Sequence, residues 1–314
     1  VTDGPRSDAS ENRERTTPEE AFSILGNELR VEILHELATE ARSEETVAGG
    51  PGLTFSQLYE RVDATNSSRF SYHLQKLTDT FVRETETGYK LTYAGDKIVR
   101  TILAGTYHER PEFEPVELDG MCPSCHETTL RATYEEESLV VRCTACELQL
   151  LSFLLSPAQA RNRTPTEIMH SANRYVRDEY SMALDGVCSE CLGRMTNRIR
   201  PGREPVPKTH LSVHSCEQCG YRVTAPVELC LVYHPAVVAF YWEHGTDIRD
   251  ESFWKLFEYI NSDRWRTECL SADPYEFRVT MTVGDDELRV EVDETLSVTS
   301  VRAVETRVIN DETS

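Results

Sequence analysis

Lysine is scarce in this chain. Of 33 basic residues only five are Lys (Lys76, Lys90, Lys97, Lys208 and Lys255), which leaves 28 Arg against 54 Asp and Glu. Apolar residues are few as well, at 39%. That is below the ~45–50% of an average globular domain but above the composition of a disordered chain. No apolar run approaches the ~18–20 residues of a membrane span, and the first residues do not follow a signal-peptide pattern. A cytoplasmic protein with no membrane partner is expected. The chain also lacks a phosphate loop, a nucleophile elbow and a metal motif with an open ligand position, so it is not expected to be an enzyme. What it has in excess is negative charge, −21 in all. An acidic, Arg-rich surface suits concentrated salt, where carboxylates hold water and cations and their repulsion is screened within ~3 Å. Under such screening, overall acidity does not exclude a nucleic-acid partner.

Residues 1–17 are polar and aperiodic and read as a disordered tail. From Pro18 the pattern turns helical. Phe22, Ile24 and Leu25 belong to a first helix, and Leu29, Val31, Ile33, Leu34 and Leu37 follow helical spacing in a second. After a Gly- and Glu-rich loop over 40–52, Thr54-Phe55-Ser56-Gln57 forms a capping box opening a short third helix. Ser67 is placed to cap a fourth, whose buried stripe is Phe70, Leu74, Leu77 and Phe81. Val82–Glu86 and Tyr89–Thr92 read as strands around Thr87-Gly88, and a last helix runs from Tyr93 to Ala104. Four helices, a hairpin and a helix over 18–105 make a winged helix-turn-helix.

Such a motif docks its second helix in the major groove of DNA. With Phe70 and Leu74 turned inward, Ser67, Ser68, Arg69, Ser71, Tyr72, Gln75 and Lys76 face outward, while His73 reads as a packing residue. Arg and Lys pair with guanine, Gln with adenine, and Ser or Tyr with phosphate. On the wing, Arg83 and Lys90 are the nearest cations, but Glu84 and Glu86 flank the tip and argue against deep minor-groove contact.

The stretch from Leu25 to Leu34, LGNELRVEIL, with Phe70 to Leu77, FSYHLQKL, resembles the ArsR-type winged-helix regulators, in the form found in haloarchaea with a cysteine-containing C-terminal domain. The resemblance covers about 18–104. It implies a homodimer joined through the first and last helices of that domain, and transcriptional regulation at promoters. Metal-sensing members carry cysteines near the recognition helices; here none precedes Cys122, so metal sensing at that place is not expected.

After a linker over 106–120 the chain repeats itself. Asp119-Gly120-Met121-Cys122-x-x-Cys125 recurs 66 residues later as Asp185-Gly186-Val187-Cys188-x-x-Cys191. Each copy has a second Cys-x-x-Cys, at Cys143/Cys146 and Cys216/Cys219, then an apolar strand and a Pro-Ala helix start at Pro157 and Pro235. Two knuckles supply four thiolates, enough for a closed tetrahedral zinc site. Intervening lengths of 17 and 24 residues suit a zinc ribbon, the second slightly long. Two structural zinc ions are therefore expected, whether the pairs ligate within or between the copies. His126, His210 and His214 lie near knuckles but are not needed as ligands. Cys230, on the far face of a strand over 223–232, and Cys269 are left over and read as small buried hydrophobes, the sharper alternative being a thiol redox sensor.

A helix from Thr164-Pro165 carries Ile168, Ala172, Tyr175, Val176 and Tyr180 on one face. Two aromatic helices, about 235–244 and 252–261, precede a β-meander from Phe277. The region 121–233 is thus a duplicated ribbon and helix unit, and 234–314 an aromatic and β region that could bind a small-molecule effector or a protein partner between its helices and sheet. Arg194, Arg198, Arg200, Arg203 and Lys208 crowd a loop of the second ribbon with only Glu204 opposing. They suit DNA phosphate, an acidic partner or the protein's own acidic surface. The expectation is an α+β protein: a winged helix-turn-helix, then two four-cysteine zinc ribbons, helices and a terminal antiparallel meander. Its function would be sequence-specific regulation of transcription. The alternative is a basal factor like archaeal transcription factor E, which also joins a winged helix to a zinc ribbon.

Overall fold

A computed structural model describes residues 17–42, 52–202 and 210–304. Most of the expected tail, most of the 40–52 loop, and Arg203, Glu204 and Lys208 lie outside the described residues. The fold is mixed α+β with antiparallel sheets, and the chain divides into two compact units, Val1–Glu109 and Arg110–Ser314.

The first unit holds α1 (Pro18–Leu25), α2 (Glu28–Ala41), α3 (Phe55–Arg61), α4 (Ser67–Leu77), the hairpin β1 (Val82–Thr85) and β2 (Gly88–Leu91), and α5 (Tyr93–Leu103). Each helix starts where a side chain satisfies an otherwise orphaned N–H. Thr17 and Thr54 form capping boxes with Glu20 and Gln57. For α4 the cap is Asn66, not Ser67: Asn66 has extended backbone and its side chain accepts from the Arg69 N–H, so Ser67 is already the first helical residue. Its amide oxygen reaches the third N–H, and the helix begins one residue earlier than a Ser67 cap would give. Leu29, Ile33, Leu34 and Leu37 of α2 pack with Leu58, Phe70, Leu74, Leu77 and Phe81 in one core, where the Phe70 ring meets Phe55 edge-on, centroids 4.9 Å apart, and Tyr59 at a tilt. Phe81 joins this core from beyond the end of α4. Gly95 is required at the start of α5, because a Cβ there would collide with the Phe81 carbonyl.

The described residues of the second unit form three sheets. β3 (Val116–Leu118), β4 (Leu130–Glu135), β5 (Ser138–Cys143) and β6 (Gln149–Leu154) form the first, in sequence order. β3 lies inside the expected linker: pairing of Val116 with Ala132 and Leu118 with Leu130 makes it an edge strand. α6 (Pro157–Ala160) and the long α7 (Pro165–Leu184) follow, then the second sheet, β7 (Met195–Pro201), β8 (His210–Cys216) and β9 (Arg222–Pro226). A 3₁₀ helix (Val227–Tyr233) leads to α8 (Pro235–Glu243) and α9 (Phe253–Ile260). The terminal meander has four strands: β10 (Trp265–Ala272), which the alternation from Phe277 does not reveal, then β11 (Tyr275–Val283), β12 (Asp286–Asp293) and β13 (Val298–Val304).

The strand expected over 223–232 stops at Pro226. The six residues Val227–Val232 are all buried in the 3₁₀ helix, so they show no strand-like alternation of exposure and Cys230 has no strand face of its own. Regions 121–233 and 234–314 share a core, since Tyr180, Ala225, Leu229 and Leu231 pack with Trp265, Phe277, Val279 and Val290. The aromatic helices mostly fill this interior. Tyr241 stacks on Tyr259 at 6.1 Å and its hydroxyl accepts from the Trp265 indole N–H at 2.5 Å. Trp242 of α8, by contrast, is 64% exposed.

Candidate metal centres and nucleic-acid interface

The four Cys-x-x-Cys segments fold identically. In each, the residue after the second Cys has a left-handed backbone: His126 (φ 63), Glu147 (φ 61), Leu192 (φ 59) and Gly220 (φ 76). That residue's N–H returns to the carbonyl of the first Cys, at 2.9–3.1 Å in all four. The first Cys N–H in turn donates to a carbonyl five residues on: Cys122 to Glu127, Cys143 to Leu148, Cys188 to Gly193 and Cys216 to Tyr221. This tight turn points both sulfurs the same way. It also explains His126, whose role is a left-handed turn position that His tolerates better than most residues.

Paired knuckles bring four sulfurs together within each copy. Cys122, Cys125, Cys143 and Cys146 form one group and Cys188, Cys191, Cys216 and Cys219 the other, each with all sulfurs within 4.8 Å. The crossed pairs Cys122–Cys146 and Cys125–Cys143 are both 3.6 Å apart, and Cys188–Cys219 and Cys191–Cys216 are 3.7 and 3.5 Å apart. A disulfide would need ~2.05 Å. A tetrahedron of thiolates around an ion at ~2.3 Å has edges of ~3.8 Å, so each group fits a four-coordinate metal ion, and the ligands come from within one copy. The Cys219 and Gln218 N–H groups help bring Cys216 down to about 6. Cys143 also falls to about 6: burial opposes this, but the Thr129 hydroxyl and the Cys146 and Ala145 N–H groups outweigh it.

The two groups sit differently. The first adjoins a substantial apolar cluster that includes Leu130, Leu139, Val141, Ile168 and Trp254, and the Trp254 indole donates to the Asp119 carbonyl at 2.9 Å while Lys255 pairs with its carboxylate. Around the second, the buried cluster is only Ala183, Cys188, Met195 and Cys216. Beside it, Glu179 accepts from the hydroxyls of Tyr175, Ser189 and Tyr221, a carboxylate cage on α7 that spacing alone did not reveal. His210 lies against Tyr275 and Phe277, and His214 is buried edge-on to Tyr180; neither joins a cysteine group.

Cys230 is buried, where burial pushes its thiol above its usual range. Cys269 is exposed on β10, an edge strand of the meander, which corrects its reading as a buried hydrophobe.

On α4, Ser67, Ser68, Arg69, Ser71, Tyr72, Gln75 and Lys76 are all exposed, and Phe70, Leu74 and Leu77 are buried. The helix contains no carboxylate, and among the described residues Arg69 and Lys76 form no ion pair. Lys76 lies over the Tyr72 ring. His73 is half-buried against Tyr72, and burial, then Arg30 and Arg69, lowers its pKa. On the hairpin, Arg83 is exposed opposite half-buried Lys90, and Tyr89 donates to Glu84 at 3.2 Å. The basic loop of the second ribbon is in its described part mostly strand: Arg198 and Arg200 lie on β7 and Arg194 just before it.

The fold and these sites define a two-unit α+β protein with two four-cysteine groups able to hold metal. Residues 119–298 match a family described as a domain of unknown function (DUF7351), and the chain belongs to that family. Residues 18–102 match a second domain of unknown function (DUF7347). No curated protein and no solved structure matches the chain. Among the described residues, no helix is long and apolar enough to cross a membrane.

Proposed function

We propose that this protein is a sequence-specific DNA-binding regulator of transcription of the ArsR-like winged-helix kind, adapted to high salt and holding two structural zinc ions. The observation that carries the reading is the outward face of α4: seven exposed polar residues, two of them cations with no carboxylate partner among the described residues, in a chain of net charge −21. A helix kept free of carboxylates in so acidic a chain suits a phosphate-bearing partner. Asn66 caps only the Arg69 N–H, and the other N–H groups of the first turn add a favourable dipole end for a phosphate.

The zinc assignment rests on the all-thiolate donor set, which favours that ion among divalent metals. Four cysteines leave no position for water or substrate, so the ions are structural and the protein is not an enzyme through them. A homodimer is supported by α1, which buries no residue of its own and leaves Phe22 67% exposed, and by Tyr93 at the start of α5, 73% exposed. Light scattering of the wild type and Phe22→Glu tests it: a dimer that becomes a monomer supports the reading, and a wild-type monomer overturns it.

Chromatin immunoprecipitation of the wild type beside Arg69→Ala/Gln75→Ala tests the function. Sharp promoter peaks sharing a roughly palindromic motif, lost in the variant, are the expected result. Occupancy of every active promoter that survives the substitutions would replace it with the basal-factor reading.

A further inference from the structure

The two sheets that carry the cysteine groups share one register but not one surface. In the first, Cys143 pairs with Leu130, so Thr133 stands opposite Val140 and Glu135 opposite Ser138. In the second, Cys216 pairs with Met195, which places Arg198 opposite Val213 and Arg200 opposite Leu211. Counted from the metal ligand, Arg198 replaces Thr133 and Arg200 replaces Glu135. On the third strand Arg222 pairs with Ser215, where Gln149 pairs with Arg142 in the first sheet. Alternation along the strands puts Arg198, Arg200 and Arg222 on one face.

The charge is also handled differently. On the first sheet Arg131 is neutralised by Glu117, and Arg142 by Glu135 at 3.0 Å. On the second, Arg198, Arg200 and Arg222 pair with no carboxylate among the described residues. They rim an open groove of about 480 Å³ with Thr224, over Val213. Val213 is buried beneath them, and Ile199 completes the lining.

We infer that this face of the second ribbon binds the phosphate backbone of duplex DNA, as a contact additional to α4. The inference rests on the reading of the chain as a DNA-binding protein. Arg198 and Arg200 are two residues apart on a strand, ~7 Å, so their guanidinium forks address separate phosphates along a backbone that carries one per ~3.4 Å of helix axis on each strand. Arg is suited to bidentate phosphate contact, and the Thr224 hydroxyl on the same face adds a neutral donor of the kind that positions proteins on phosphates. Since the register of the metal-bearing hairpin is retained while the outer face has changed from mixed and paired to basic, with no carboxylate partner among the described residues, the metal group serves here as a rigid mount for the arginines.

The test measures affinity of the full chain for a nonspecific DNA duplex of roughly two helical turns across a salt series in which the protein stays folded. Wild type is compared with Arg198→Gln/Arg200→Gln/Arg222→Gln, with the corresponding triple Lys variant, and with Arg69→Ala/Lys76→Ala. Metal content and unfolding midpoint are measured for each to establish that the fold is intact. The triple Gln variant is expected to lower the slope of log affinity against log salt by about 2–3, one counterion per lost contact, and the Lys variant to keep the wild-type slope. An unchanged slope in the Gln variant, with binding lost in the α4 variant, overturns this inference and leaves the proposed function standing. Binding that survives in the α4 variant but is abolished in the Gln variant does the reverse. An unchanged slope with an altered mass in solution assigns the face to an acidic protein surface and overturns the DNA contact. Absence of DNA binding by the wild type overturns both readings.

Discussion

The first and second ribbons share their knuckles and differ on both sides of the sheet. On the inner face the first has Leu139 and Val141 leading to Cys143, and at the same register positions the second has Ser212 and His214 leading to Cys216. All four of these non-cysteine residues are buried. The polar pair meets α7: the buried Tyr180 hydroxyl lies 3.1 Å from that of Ser212, which also donates to the Ala225 carbonyl at 3.1 Å, while His214 packs edge-on against the Tyr180 ring and its Nε2 has no hydrogen-bond partner among the described residues. Duplication thus preserved what metal binding demands, namely the turn and the register, and left each face to follow its neighbours.

The comparison can be broken most severely at its shared part. On the proposed zinc assignment, Cys122→Ala and Cys188→Ala are each expected to cost one of two metal equivalents by elemental analysis, a structural zinc site contributing on the order of 10 kcal/mol to folding. The loss should open the knuckle end of the second ribbon more completely, because the buried cluster around its cysteines is small. Hydrogen exchange resolved by peptide would show protection lost around Met195 and Cys216 but retained near Ala225, which packs in the larger core, and partly retained throughout β4–β6.

The inner faces should respond in proportion to what they bury. Leu139→Ala removes a fully buried side chain and is expected to cost about 2–5 kcal/mol in chemical denaturation. Ser212→Ala strands the Tyr180 hydroxyl and is expected to cost less, about 1–3 kcal/mol.

Glu228 lies in the 3₁₀ segment of the second copy, between β9 and the Pro-Ala helix start, where the first copy has only a short connection. Burial raises its pKa from 4.5 to about 7, and its Oε2 has no hydrogen-bond partner. The folded state therefore holds a proton that the unfolded state releases between these values. The stability it contributes is greatest below pH ~4.5, falls as pH rises to about 7 and then levels off. Glu228→Gln should remove this slope and stabilise the protein at pH 8 by about 3 kcal/mol, read from denaturation midpoints across pH.

The smallest effect on stability is expected on the outer face. Thr133→Arg/Glu135→Arg gives the first ribbon the second's charges and should change stability by no more than about 0.5 kcal/mol. The salt slope of DNA binding would steepen by about 1–2 if position on the sheet is what matters.

Much of the local structure was legible in the chain. The capping box at Thr54 and the 3.6-residue stripes placed the helices of the first unit, and Cys-x-x-Cys spacing picked out the eight cysteines that gather into the two groups. Other features were not. Val116–Leu118 is too short to show alternation and becomes a strand only by pairing with β4. Trp265–Ala272 mixes polar and apolar residues because it is an edge strand with one face open. Arg222 joined no charge cluster in the sequence, since the pairing of β8 with β9 is what brings it beside Arg198.

By itself the sequence determined the four knuckles, the duplication, the order of helices and hairpin in the first unit, and the polar outward set of α4. Each depends on residues within one turn or a few turns of one another, whose backbone preferences and periodicity act locally. Tertiary structure alone decided that the cysteines close within each copy, that Cys269 is exposed while Cys230 is not, that a polar pair can line the inner face beside α7, and that three arginines from two strands share one face with no carboxylate partner among the described residues. These depend on register and on what packs across a sheet, and such contacts join residues too far apart in the chain for any local pattern to encode.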